Sequence, residues 1–136
     1  MLIVDAGPLY AAAATRDQNH DRCIELLRSA PRPLLVPALV VTEVAYLIGD
    51  RIGPGAELAF GRSIAAGELG VEPILGGDWD RITSLMERYV DLPLGMVHAS
   101  IVTLAERLGA AEIATLDHRH FATVRPRHVD AFTLVP

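Results

Sequence analysis

The chain has 136 residues, 51% of them hydrophobic, and a formal net charge of −5. That length sets an expectation of one domain with a real apolar core. The acidic balance excludes a globally basic nucleic-acid surface, and no apolar run reaches the length of a membrane span.

Every basic residue is arginine. Codon bias in the source genome explains this plainly; the guanidinium's better fit to phosphate is the sharper explanation. Cys23, the only cysteine, stands among Ile24, Leu26 and Leu27 like a small core residue and has no internal disulfide partner. The start "MLIVDAG" has neither the basic residues nor the long apolar stretch of a signal peptide. A cytoplasmic location is the expectation.

In chain order, "LIV" (2–4) reads as a short buried strand ending at Asp5 and feeding a turn at Gly7-Pro8. "PLYAAAAT" suits a helix, and residues 17–30 repeat apolar positions at helical spacing until "PRP" stops them. "LLV" (34–36) is a second strand. Pro37 opens the helix "ALVVTEVAYLIGDRIG", with Gly49 and Gly53 marking its fading end. "PGAELAFGRSIAAG" is a further helix. "LGVEPIL" (69–75) is strand-like, and its Pro73 points to a sheet edge. Residues 78–91 form an amphipathic helix with Asp78 as the expected cap. "LPLGMVHASIVTLAERLGA" (92–110) holds the next helix, closed by Gly109. "EIATL" (112–116) is a strand ending at Asp117, and residues 128–135 hold the last strand. Short apolar strands alternating with helices argue for an α/β fold with a short, mainly parallel central sheet.

Four side chains stand out. Asp5 and Asp117 each follow a short apolar strand, where ligands gather in open α/β sheets; an aspartate there also commonly caps the next helix. Helical spacing places Glu43 on the stripe of Val40, Val44, Leu47 and Ile48, and a buried carboxylate needs a partner. No arginine lies one turn before or after it, which leaves a distant arginine, a metal ion or a general-base role. His98 stands in a helical first turn beside Leu94, Val97, Ile101 and Val102. Such a histidine is ordinarily a satisfied boundary residue. Carboxylates converging at strand ends attract hard cations such as Mg2+ or Mn2+, which support phosphodiester cleavage. His118 and His120, two apart on what reads as one loop, are weak evidence for zinc. Arg119, Arg125 and Arg127 are candidates for phosphate contacts or for a solvated surface run. An aspartyl phosphatase usually wants a second acid two residues after the nucleophile, and Gly7 stands there.

"MLIVDAGPL", "VPALVVTEVAYLI", "DLPLGMVHASIVTLAERLGA" and "IATLDHRHFATVRP" follow one another in the order and spacing of the PIN-domain ribonucleases. The chain resembles, more closely, the VapC toxins of bacterial type II toxin–antitoxin pairs. The resemblance covers essentially residues 1–136 and implies a single PIN-like domain with Mg2+- or Mn2+-dependent cleavage of RNA. It further implies a homodimer and a small VapB-like antitoxin that inserts a segment into the active-site groove. The family's acids fall on Asp5, Glu43 and Asp117. Where the family has a fourth aspartate this sequence has His98, so the expected catalytic and metal-holding set is Asp5, Glu43, His98 and Asp117. An engineered inactivation, a natural imidazole ligand, and a degenerate toxin that only binds its antitoxin all account for His98. Each implies impairment, since imidazole offers one lone pair where carboxylate offers two oxygens and a charge. The alternative function is therefore a catalytically silent module.

Overall fold

Three residues, Ile3 with its neighbours Leu2 and Val4, make the central strand β1 (Leu2–Val4), and all three are buried. In the computed structural model, which describes residues 1–136, β1 pairs in parallel with β2 (Leu34–Pro37) on one side and β4 (Glu112–Ala114) on the other. The outer strands, β3 (Gly70–Glu72) and β5 (Thr133–Val135), complete an all-parallel sheet in the order β3-β2-β1-β4-β5. Such strands are covered on both faces. That is why β1 and β2 read as unbroken apolar runs rather than alternations. Pro73 directly follows β3, which is an edge strand as its composition suggested.

Seven helices surround the sheet: α1 (Ala6–Ala13), α2 (His20–Ser29), α3 (Ala38–Arg51), α4 (Pro54–Ala65), α5 (Asp78–Arg88), α6 (Met96–Leu108) and α7 (His118–Thr123). Every residue from Ala99 to Ala105 on α6 is buried, so this helix lies inside the molecule rather than on it. Gly109 ends α6 at φ +72°, the left-handed conformation that lets its amide reach back to the last-turn carbonyls. No helix is long and apolar enough to cross a membrane.

The structure corrects three local expectations. Asp78 does not cap α5: Gly77 precedes the helix, and Asp78 is its first residue. Its carboxylate turns back to accept the Leu75 amide at 2.9 Å and Arg107 Nε at 3.2 Å, which ties the loop before α5 to α6. The last strand begins only at Thr133, because His128 is held by the Ala110 carbonyl (2.7 Å) ahead of the ladder. Finally, the segment after Asp117 is helical, as α7.

The chain adds β2 and β3 to one side of β1, then crosses to add β4 and β5 on the other. The switch point therefore lies between β1 and β4, and a crevice opens at their carboxyl ends.

Candidate metal centre

Asp5 is the residue just past β1. Its amide continues the ladder to the Ala114 carbonyl (2.9 Å), which fixes its backbone. One carboxylate oxygen, Oδ1, accepts the Ala6 amide at 2.7 Å, so the helix-cap role is real. The other, Oδ2, accepts the Thr115 hydroxyl at 2.8 Å. Asp117 repeats this arrangement after β4. Its Oδ1 caps α7 through the His120 amide (3.1 Å), while its own amide donates to Thr115 Oγ at 2.9 Å. Thr115 is fully buried, and its one hydroxyl spans both aspartates. Each carboxylate sits at a helix N-terminus, where the backbone dipole favours negative charge.

His98 faces this pair from the first turn of α6. Its Nε2 lies 3.4 Å from Asp5 Oδ2, and its Nδ1 lies 3.0 Å from His120 Nδ1 and 3.8 Å from Asp117 Oδ2. Its ring rests against Phe121, with 4.9 Å between centroids. His98 is thus a boundary residue by packing and a site residue by its nitrogens.

Glu43 corrects the pattern reading. Val40, Val44 and Ile48 are fully buried, but Glu43 is exposed on the flank of α3 rather than sunk in that stripe. Its side chain lines the mouth of the crevice with Asp5, Gly7, His98, Asp117 and His118, around a volume of about 480 Å³. The arginine–carboxylate pairs of the molecule are Arg81–Glu106 and Arg107–Asp78, so no arginine neutralises Glu43. Gly7 has a packing reason of its own: a Cβ there would meet Leu116 Cβ at 3.3 Å.

Partial burial pushes the Glu43 carboxyl above its ordinary value, the Asp5 charge adds to the rise, and His98 opposes it. For His98, burial acts downward. The hydrogen bond to Asp5 and the charges of Asp5, Asp117 and Glu43 outweigh it and raise the imidazole. Burial leads the Glu43 shift and the neighbouring carboxylates lead the His98 shift, and the Asp5 charge contributes to both.

Of two further residues of this site, Thr115 was missed from sequence and His120 was set aside as weak evidence for zinc. Thr115 gave no signal beyond standing two residues before Asp117. His120 had one: three residues after Asp117 on a helix, it returns to the same face. Its ring now lies 2.9 Å from Asp117 Oδ2 and is anchored by the Leu92 carbonyl at 3.0 Å. His118 is exposed at the crevice rim, and Arg119, Arg125 and Arg127 are exposed beyond it.

An open parallel sheet with this crown of acids at its switch point agrees with the family comparisons. The PIN-domain family model matches residues 2–125. Ribonuclease VapC26 of Mycobacterium tuberculosis is 32% identical over 135 residues, covering 99% of this chain and 100% of that protein. The crystal structure of Mycobacterium tuberculosis VapC20, described as a sarcin–ricin loop cleaving toxin, shares the fold. It aligns with a TM-score of 0.83 at 18% identity, covering 96% of this chain and 99% of that one. The chain belongs to the PIN-domain family, and within it to the VapC-like proteins.

Replacing Thr115 by valine removes a buried hydroxyl bonded on both sides and strands the Asp117 amide. The expected loss is about 1–3 kcal/mol of folding stability by urea denaturation, with most of it recovered in Thr115→Ser. Equal stability of Thr115→Val and the parent would show that the bridge supports nothing.

The raised His98 value also sets a pH dependence for the chelated, metal-free protein. The folded state holds the imidazole proton more tightly than the unfolded state does. The resulting stability is complete below the unfolded value, about 6.5, and is lost as pH rises through the raised folded value. Glu43 acts in the same direction in its own lower range. Asp5, Asp117, Glu43 and His120 are the ionisable groups around His98. The melting temperature is expected to fall from about pH 6 to about pH 8. His98→Gln should flatten that slope, and an unchanged slope in His98→Gln would contradict the assignment.

Proposed function

We propose that the chain is a divalent-metal-dependent endoribonuclease toxin whose catalytic centre is the crevice of Asp5, Glu43, His98 and Asp117. The observation that carries this reading is the meeting of two capped aspartates with Glu43 at the switch point of a PIN fold. Full-length similarity to a ribonuclease gives the chemistry its class.

The donor set fits a hard divalent cation. Asp5 and Asp117 each keep an oxygen on the crevice side, and no arginine pairs with Glu43. Asp5, Glu43 and Asp117 would hold Mg2+ or Mn2+, with the His98 nitrogen tilting the preference towards Mn2+. A cation bound there supplies activation of water and charge neutralisation at the phosphodiester. The chain's own residues do the rest. The Asp5 carboxylate is fixed by its cap and by Thr115 and the Asp117 carboxylate by its cap, so they need little reorganisation when substrate arrives. Glu43, at the open mouth with its raised carboxyl, is placed to take a proton from an attacking water. Arg119, Arg125 and Arg127 offer exposed guanidinium groups to an RNA backbone on an otherwise acidic protein.

The family resemblance extends the proposal to a VapB-like antitoxin as partner, to self-association as a homodimer, and to action in the cytoplasm by residues 1–136 as one PIN-like domain. An apolar groove of about 350 Å³ between α1, α2 and α4, lined by Leu9, Ile24, Leu27 and Phe60, suits a partner's apolar segment.

The second reading, a catalytically silent module that binds its antitoxin, is favoured by one observation: an imidazole stands where the family pattern has a carboxylate. His98→Asp separates the two. Assayed on one RNA with Mg2+ and with Mn2+, His98→Asp is expected to cleave on the order of tenfold faster than the parent with Mg2+, with Glu43→Gln inactive. A parent already as active with Mg2+ would show imidazole to be a working ligand. Absence of metal-dependent cleavage in both forms would overturn the ribonuclease reading of this site.

A further inference from the structure

His98 and His120 come from different helices, yet their rings meet edge to face at the crevice, with centroids 5.1 Å apart. The hydrogen-bonding partners of each far nitrogen determine what the near nitrogens offer. His120 Nε2 lies 3.0 Å from the Leu92 carbonyl, which can only accept, so the hydrogen is on Nε2. In the neutral ring Nδ1 is then a bare lone pair. His98 Nε2 faces Asp5 Oδ2, again an acceptor, and the same logic leaves its Nδ1 bare. The third atom is Asp117 Oδ2, whose partner oxygen is occupied in capping α7.

Two ring nitrogens and one carboxylate oxygen, one ligand atom from each of three side chains, therefore face one another. Their separations are 3.0 Å (His98 Nδ1 to His120 Nδ1), 2.9 Å (His120 Nδ1 to Asp117 Oδ2) and 3.8 Å (His98 Nδ1 to Asp117 Oδ2). A tetrahedral ion with ligands at ~2.0–2.1 Å spaces its donors about 3.3 Å apart, and the three distances bracket that value. Histidines that hold metal characteristically donate their other ring nitrogen to a carbonyl or carboxylate, as both do here.

We propose that His98 Nδ1, His120 Nδ1 and Asp117 Oδ2 form a binding site for a borderline transition cation of the Zn2+ class. Two imidazoles and one carboxylate with an open fourth position suit Zn2+ or Co2+ and disfavour Mg2+. The Asp117 side chain is 35% exposed, which gives an ion a way in. The site uses His120, which the family's acidic set does not include, and it does not depend on RNA cleavage. It does share Asp117 with the Mg2+ position, so occupancy by Zn2+ excludes Asp117 from that role.

The test is titration of the chelator-treated full chain with Zn2+ by calorimetry and with Co2+ by visible absorption. One equivalent is expected, with the intense visible bands of four-coordinate Co2+. His120→Gln should weaken Zn2+ binding by at least about 10–100-fold, and His118→Gln should leave it unchanged. Imidazole 15N spectra of the unmodified chain give a readout free of any folding defect in the variants. Zn2+ should shift Nδ1 of His98 and His120 while both Nε2 hydrogens persist. Equal Zn2+ affinity in His120→Gln would overturn the proposal. So would coordination through Nε2, or failure to bind Zn2+ because the two rings instead share a proton. Mn2+-dependent cleavage surviving in His120→Gln keeps the outcome separate from that of the ribonuclease reading.

Discussion

The Thr115 hydroxyl holds the site together. Fully buried after β4, it donates to Asp5 Oδ2 and accepts from the Asp117 amide, so one oxygen couples the ends of the two central strands. Each aspartate spends its other oxygen capping the helix that follows. Folding thereby fixes two carboxylates on one crevice, either side of the His98 ring, before any ligand arrives. Like charges held close together are costly. That cost is visible in the rise of His98 despite its burial, and the Asp5 charge adds to the burial-driven rise of Glu43. A bound cation would relieve it, which is why the fold and the proposed chemistry are parts of one electrostatic arrangement.

Much of this was legible in the chain. β1 and β2 are unbroken apolar runs because a parallel sheet buries both faces, and strand-end aspartates stand out against such runs. Glu43 was legible as an anomaly but not in its degree of burial. Helical periodicity gives a direction around the axis, and it does not say how far the neighbouring elements extend over that face. Because α1 and α6 leave a crevice there, Glu43 ends at its rim. Asp78 was misread because a carboxylate beside Gly77 can serve the helix or the preceding loop, and only Arg107, 29 residues away, decides between them.

The roles of His120 and Thr115 were not legible for a different reason. α7 is six residues long, and its histidine is oriented by the carbonyl of Leu92, 28 residues earlier in the chain. Short-range pattern carries no trace of such a contact. His98 is intermediate. Its place was implied by the family resemblance, but its nitrogens acquire meaning only when Asp5, Asp117 and His120 surround them. An imidazole at that position, viewed alone, reads as a replaced carboxylate. With His120 beside it, it becomes half of a nitrogen pair with metal preferences of its own.

The most direct test of the catalytic centre is to map the new RNA ends that the purified chain generates from total RNA with Mn2+, beside the same reaction with chelator and with Asp5→Asn. Discrete ends that require both the cation and Asp5 are the predicted result. Ends that persist in chelator, or that Asp5→Asn still produces at the same positions and rate, would contradict a metal-dependent nuclease centred between β1 and β4.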